Sequence, residues 1–374
     1  MLKGISLTLL IGPVVPFPVP RVVLEALTEV EVTSAAGAAS GFKLSFTLSN
    51  TSILHTTFLI AATRTALMRV IVVVTINSIP SVLMDGVITN QHLTSGDRPG
   101  QTALTIIGED LTKLMDLQEF NGIPYPAMPQ NVQVLTVLSK YMMLGIIPLV
   151  IPPISMDIPL PTGRIPSHEG TDLHHILELA RKVGYVFYVD PGPVPGANTA
   201  YWGPEIKIGV PQPALSLDMD AHRTVDTLSF AFDSASTDLP VVMIQNPLTK
   251  APIPIPIPKL NPLQPPLGLL PPPITRISIQ GQSAKLSALE ALGEGLAAGA
   301  ASMDSVTANG SLDVARYGHV LKSRKLVGVR GAGLAFDGLY YVKSVTSTIK
   351  RGEFKQSFEL TRNALVSTTP AVPA

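Results

Sequence analysis

Hydrophobic and polar residues alternate with a period of two in several stretches of this chain, most clearly from Gly331 to Arg362. After the turn dipeptide Asp337-Gly338, residues Tyr340, Val342, Ser344 and Thr346 fall on one face and Leu339, Tyr341, Lys343 and Val345 on the other. Lys350-Arg351-Gly352-Glu353 reverses the chain, and Phe354, Gln356, Phe358 and Leu360 then point inward against Lys355, Ser357, Glu359 and Thr361. The pattern predicts a hairpin with one wet face. The same design stands upstream, where Asp85-Gly86 opens a strand, Gly100 closes a turn, and Thr102, Leu104 and Ile106 repeat the phase of Phe354, Gln356 and Phe358. The glycine spacing agrees, since 100 − 86 = 352 − 338 = 14. This predicts an internal duplication. Two unrelated hairpins of equal length are the alternative, because Asp-Gly hairpins are common.

Other segments extend the pattern. Val22 to Val32 and Gly41 to Leu48 read as strands, the second with Phe42, Leu44, Phe46 and Leu48 on one face. Arg69 to Ile76 is a nearly continuous run of β-formers, the mark of a strand covered on both faces. Five or more strands before residue 110 predict a closed or nearly closed barrel, because closure removes exposed edges. Asp110 suits the cap of a short helix, and Asn131 to Leu144 reads as a second helix stopped by Gly145. Thr171 to Val183 is the clearest helix, with Leu173, Ile176, Leu177, Ala180 and Val183 at helical spacing, Thr171 as N-cap and Gly184 as stop. Strands are expected at Tyr185 to Val189, Glu205 to Val210, Thr227 to Phe232, Ser311 to Val320 and Lys325 to Val329, and a Gly-rich helix at Lys285 to Met303.

Composition narrows the function classes. The chain has 374 residues, 27 basic and 27 acidic side chains, and no basic stripe of the kind that sequence-independent nucleic-acid binding needs. It has no cysteine, which excludes disulfide scaffolds, thiol catalysis and cysteine-based zinc sites. Proline is the unusual component, at 35 residues. In APIPIPIP at residues 251–258 every second residue lacks a backbone donor, so the segment cannot be a central strand and reads as an extended arm or linker. The apolar N-terminus is broken by Pro13, Pro16, Pro18 and Pro20, and predicts a first strand leading into an extended arm rather than a secretion signal. Tyr141 to Ile154 is lipid-like but too short and too proline-broken to span a bilayer, which needs about 18 residues.

Candidate chemistry is sparse. His174, His175 and Glu178 fall with Arg181 and Lys182 on the polar side of their predicted helix and lack metal-ligand spacing, so a solvated face is expected. Gly328-Val329-Arg330-Gly331-Ala332-Gly333 lacks the Lys-Ser/Thr ending of a phosphate loop and precedes a strand, and Gly293 to Gly299 lies inside its helix. Asp97, Glu109 and Asp110 offer carboxylates, of which Glu109 and Asp110 suit a first helical turn. Tyr201 and Trp202 could bind a sugar or another chain, but ordinary packing is the expected reading. No catalytic, cofactor or metal residues are assigned; the positions singled out are the turn residues Asp85, Gly86, Gly100, Asp337, Gly338 and Gly352.

GTDLHHILELARKVGYVFYVD at 170–190, FDGLYYVKSVTSTIKRGEFKQSFELTRN at 336–363 and MDGVITNQHLTSGDRPGQTALTIIGEDLTKLMD at 84–116 together resemble the phage late control protein D family. These are the hubs of phage baseplates and contractile injection machines, similar to the N-terminal part of type VI secretion spike proteins. The resemblance implies a mainly β fold with α+β insertions, in which two tube-like β-barrel domains are joined by smaller α/β elements and Pro-rich arms. The expected boundaries are a first barrel at 1–120, a helical and Pro-rich insertion at 121–165, a small α/β domain at 166–215, and a second barrel at 216–374 with an arm at 246–273 and a helix at 285–303. It further implies a non-enzymatic homotrimer that adapts a hexameric inner tube to a trimeric spike, contacts other baseplate components, and needs no cofactor, nucleic acid or membrane insertion. Synthesis in the bacterial cytoplasm, assembly into a phage tail-like particle, and a separate spike protein, since the chain ends soon after the hairpin, complete the expectation. A carbohydrate-binding β protein and a tail-associated peptidoglycan hydrolase are the alternatives.

Overall fold

A computed structural model of the chain describes residues 4–48, 68–95, 102–153, 165–217, 223–234, 238–245, 251–256, 264–280 and 304–369. Gly100, the closing glycine of the upstream hairpin, and the expected helix at 285–303 lie outside these residues. The first part contains β1 (Ile5–Gly12), β2 (Phe17–Pro18), α1 (Arg21–Ala26), β3 (Leu27–Ala35), β4 (Gly41–Leu48), β5 (Arg69–Ile76), β6 (Ile79–Thr94) and β7 (Thr102–Asp110). The expected strand at Val22 to Val32 thus begins as a helical turn, and the N-terminal arm folds back so that Phe17 and Pro18 pair with Ile11 and Leu10. β5 is covered on both faces, as its run of β-formers predicts: Val70 and Val72 enter one core, while Ile71 and Val73 pack with Val82 on the other side.

The last part contains β11 (Gln212–Ser216), β12 (Val225–Phe232), β13 (Asp238–Gln245), β14 (Pro252–Pro256), β15 (Gly268–Leu270), β16 (Arg276–Gln280), β17 (Val306–Asp313), α4 (Val314–Tyr317), β18 (Leu326–Arg330), β19 (Gly338–Lys350), β20 (Glu353–Arg362) and β21 (Leu365–Ser367). Here the expected strand at Ser311 to Val320 is instead the end of β17 followed by a short helix, and Glu205 to Val210 forms no strand.

Two sets of six strands pair in the same order. The first runs β3-β4-β7-β6-β5-β1 and the second β12-β17-β20-β19-β18-β11, each in the same sequence order; they differ in that β1 is antiparallel to β5 whereas β11 is parallel to β18. The bulges repeat too. Pairing skips one residue near the start of β3 and of β12, and again at Thr89 in β6 and Lys343 in β19. The Asp-Gly pairs are not equivalent, however. Gly86 lies four residues before Asn90, the first paired residue after its bulge, while Gly338 lies six before Ser344. Asp85 and Gly86 do not open a strand but sit within β6, where the backbone oxygen of Glu109 leaves no room for a side chain at Gly86. Asp337, Gly338 and Gly352 do mark chain reversals, with φ of 131° at Gly338 and 81° at Gly352.

The expected closed barrels are corrected to curled, unclosed units. Among the described residues both units lie in one thirteen-stranded sheet whose pairing forms an open path. The curl is visible in the cores: Leu9 of β1 and Val30 of β3, at the two ends of the first path, share one cluster, and Leu215 of β11 and Val225 of β12 share the other. Buried Phe42, Leu44, Phe46 and Leu48 line the first, and buried Phe354, Phe358 and Leu360 the second. Each such side chain contributes roughly 1.5–3 kcal/mol on burial. Gln356 shares that face because all its polar atoms are used: it donates to Leu321 O and Ser347 Oγ and accepts from Leu321 N.

Between the units lies an α/β body: α2 (Gln130–Ser139), β8 (Ile146–Val150), α3 (Asp172–Val183), β9 (Val186–Pro191) and β10 (Asn198–Gly203). Its sheet order is β8-β10-β9, so the lipid-like segment from Tyr141 supplies an edge strand. α2 ends at Ser139, and Gly145 stops a following 3-10 turn rather than one long helix. α3 follows its sequence signals closely: Thr171 Oγ1 accepts from His174 N, and Gly184 takes the left-handed conformation at φ 71°. Segments from both sides of residue 165 contribute to this core, with Val134, Val137 and Ile146 packed among Ile176, Val189 and Trp202.

Strict alternation fails at Lys343. The bulge turns Val345 and Ser347 inward where an unbroken pattern would bury Ser344 and Thr346. Inserting one alanine between Val345 and Thr346, beyond the bulge, should therefore flip every side chain from Thr346 onward. The expected result is loss of a cooperative thermal transition and of the near-ultraviolet dichroism signal, with the Lys343→Ala variant retaining both.

Candidate assembly surfaces and the locks behind them

The α/β body is fixed to the sheet by two buried arginines. Arg69 donates through Nε and Nη2 to the two carboxylate oxygens of Asp85, both at 2.7 Å, and Asn198 of β10 donates to the same carboxylate at 2.8 Å. Arg324, in the left-handed region at φ 60°, joins two distant strands: it pairs with Asp190 of β9 and lies 4.3 Å from the ring of Tyr188 on the same strand, and it donates to Ala35 O at the end of β3. A third arginine, Arg362, is fully buried beneath Tyr340 and donates to Asp337 O and Ala335 O. The amide of Ala332, in the glycine-rich loop that lacks a phosphate-binding ending, is taken by the Asp337 carboxylate, so that loop is stapled from within.

Sequence reasoning missed these residues. The signal existed at Arg69, since a cation in a strand buried on both faces demands a buried anion. No comparable signal marks Arg324, whose partners are distant in sequence.

One expectation about chemistry changes. His175 is buried rather than solvated; its ring stacks on His168 at 4.2 Å and on Tyr125 at 5.5 Å. Tyr125 Oη and His168 Nδ1 are 2.9 Å apart, and Asp172 takes hydrogen bonds from Lys140 and Tyr141. The buried face of α3 is thus Asp172, His175, Ile176, Leu179 and Ala180, while Leu177 is exposed. Glu178 pairs with Arg181. Trp202 is fully buried and Tyr201 nearly so, its hydroxyl donating to Pro204 O, so neither presents a sugar-binding face. Asp110 caps the 3-10 turn Leu111–Asp116 by accepting from Thr112 N, while Glu109 belongs to β7. Asp97 and Gly293 to Gly299 lie outside the described residues. Among the described residues no group of three or more His, Asp and Glu side chains is placed to hold a metal, and no helix is long and apolar enough to cross a membrane.

Exposed apolar side chains occur on and just beyond the proline-rich arm. β14, β13 and β16 form a separate sheet, on which Ile277 and Ile279 of β16 are 64% and 66% exposed. Because proline has no N–H, Ile253 and Ile255 must supply the donors toward β13, and prolines occupy the outward positions of β14. That edge is closed to further strands. Leu269, Leu270 and Ile274 add exposed apolar area nearby in sequence.

Replacing Asp85 by Ala leaves the Arg69 guanidinium buried and unpaired, and should lower stability by about 3–5 kcal/mol, measurable by chemical denaturation. Acid acts elsewhere. Burial, with His168 and Lys182 beside it, pushes His175 down to about 4, and burial also lowers His168. Both sit below the unfolded value of 6.5, so the unfolded chain binds more protons and stability is lost as pH falls from about 6.5 toward 4. Melting at pH 7 and 4.5 should reveal a loss of roughly 1–3 kcal/mol that His175→Phe reduces and His174→Gln leaves unchanged.

No protein-family model and no curated protein matches the chain. Solved structures do. It is similar to the tail protein from Neisseria meningitidis MC58, at 12% identity and a TM-score of 0.64 over 96% of this chain and 97% of that one. It is similar to the 43 kDa tail protein of prophage MuSo2 from Shewanella oneidensis, at 13% identity and a TM-score of 0.62 over 96% and 99%. A third is the E. coli c3393 protein, a type VI secretion component with structural similarity to the phage T4 tail proteins gp27 and gp5, at 12% identity and a TM-score of 0.51 over 93% and 76%. Over nearly its whole length the chain therefore has the fold shared by these tail proteins and the type VI component, the group its hairpin and helix motifs resemble.

Proposed function

We propose that this protein is a non-enzymatic hub of a phage tail or contractile injection particle, a trimer that adapts a hexameric inner tube to a trimeric spike. The observation that carries this reading is the repeated six-strand order with its repeated bulges. One chain brings two look-alike tube-like units, so three chains bring six, on which a six-fold tube can seat. Features present once per chain, the α/β body and the proline-rich arm, keep three-fold symmetry for a spike. The full-length likeness to tail proteins supports the same reading. So does the likeness to a chain of the Francisella PdpA-VgrG complex, at 8% identity and a TM-score of 0.63 over 100% of this chain and 55% of that one.

In this reading the units correspond to residues 1–120 and 212–374, the second boundary lying before the expected 216 so as to include β11, with the segments 121–165 and 166–211 between them. The exposed isoleucines of the arm meet neighbouring chains, the protein is made in the bacterial cytoplasm, and it works within the assembled particle. Mass photometry of the purified chain, alone and with its cognate spike, should give three copies of the chain per particle. A monomer that ignores the spike would overturn the reading.

A further inference from the structure

A strap of chain, residues 117–127, crosses the α/β body between the 3-10 turn Leu111–Asp116 and α2. Of its side chains only Tyr125 is buried and Phe120 half-buried, while Leu117 and Ile123 are exposed. Four backbone hydrogen bonds of 2.8–3.0 Å join it to residues 166–170: Phe120 N to Gly170 O, Gly122 N to His168 O, Tyr125 N to Pro166 O, and His168 N to Ile123 O. A segment with so few buried contacts belongs to the part of a fold that opens first.

The strap is seated on a buried pair of imidazoles. His168 and His175 stack with ring centres 4.2 Å apart and planes 23° apart, and Tyr125 covers them, stacked on His175 at 5.5 Å and with its Oη 2.9 Å from His168 Nδ1. Phe120 meets His168 edge-on at 6.0 Å. The charges around the pair are unevenly placed. Asp172 Oδ1 lies 3.4 Å from His168 Nε2, but the Asp172 oxygens already accept from Lys140 Nζ and Tyr141 Oη at the end of α2. Lys140 opposes a positive charge on His168. His175 Nε2 has no hydrogen-bond partner among the described residues, and Lys182, His174 and His168 oppose a charge there, with Asp172 alone in its favour. From the 3-10 turn, Asp116 is occupied by Thr171 Oγ1 and Lys113 Nζ. One imidazolium can be carried beside Asp172. Two, at this separation and away from water, repel each other strongly.

We propose that the His168–His175 stack is an acid-released latch: when both rings take up protons, the strap leaves its seat on the α/β body while the sheets remain folded. Release removes Tyr125 and Phe120 from over the pair, so water reaches the rings and the open form binds protons that the closed form refuses. Burial lowers the proton affinity of both rings, which is the same exclusion seen from the closed side. Any route that wets the rings gains those protons. The strap is the least costly such route, since it gives up four backbone hydrogen bonds and one buried side chain where the alternatives disrupt a core.

Hydrogen–deuterium exchange of the full chain, scaled at each pH to the rates of its unfolded peptides, reads the latch. The amides of Phe120, Gly122, Tyr125 and His168 should exchange roughly 10–100-fold faster at pH 4.5 than at pH 7, ahead of the amides of β19 and β20. His175→Phe keeps a stacked ring that takes no proton and should lose most of this acceleration, whereas His174→Gln, at an exposed position of the same helix, should keep it. The wild-type protein decides even where His175→Phe fails to fold, because the acceleration must set in between about pH 6.5 and 4, where imidazoles titrate, and not only below that range, where carboxylates do. Equal exchange at the two pH values, acceleration undiminished in His175→Phe, onset confined to the carboxylate range, or strap and hairpin opening at one common rate would overturn the latch.

Discussion

The backbone hydrogen-bond ladder along β19 is the constraint on which the rest of this structure depends. Sheet edges expose donors and acceptors that need partners, and a long strand can satisfy its outer edge with two different neighbours if it bends between them. The bulge at Lys343 supplies that bend, so β18 occupies one half of the edge and β3 the other. Two separately curled cores become one continuous sheet through that change of partner.

Side chains then fix what the ladder joins. Arg69, Asp85 and Asn198 tie the α/β body to the first unit, and Arg324 ties the same body, through Asp190, to the loops beside β3 and β18. Charges withdrawn from water are costly unless paired with good geometry, and these pairs span segments that local sequence does not link. They hold the body in one orientation rather than adding much net stability. In the hub role proposed above, transmitting a fit between differently symmetric neighbours would call for that rigidity. The polar clusters serve this end: Arg362 staples a loop and Gln356 satisfies itself within a core.

Surface composition tells the same story from outside. The outer edge of β14 is denied donors by alternating prolines, so no further strand can add to it.

Periodicity in the sequence determined the strands and helices whose signals are local. Phe42 to Leu48, Arg69 to Ile76, Phe354 to Leu360 and the helix capped by Thr171 and Gly184 could be read directly, because alternation and caps are properties of adjacent residues. The repeat was also legible as a repeated hairpin, although the Asp-Gly landmarks used to find it are two residues out of structural register. Only the tertiary structure decided that Asp85 is an ion-pair partner inside a strand, that His175 is buried against His168, that Trp202 is core, and that the units curl without closing. Each of those depends on which distant segment arrives at the same place. A bulge shifts every later side chain by one face, and a buried charge is tolerable only beside a partner that the chain brings back from far along its length.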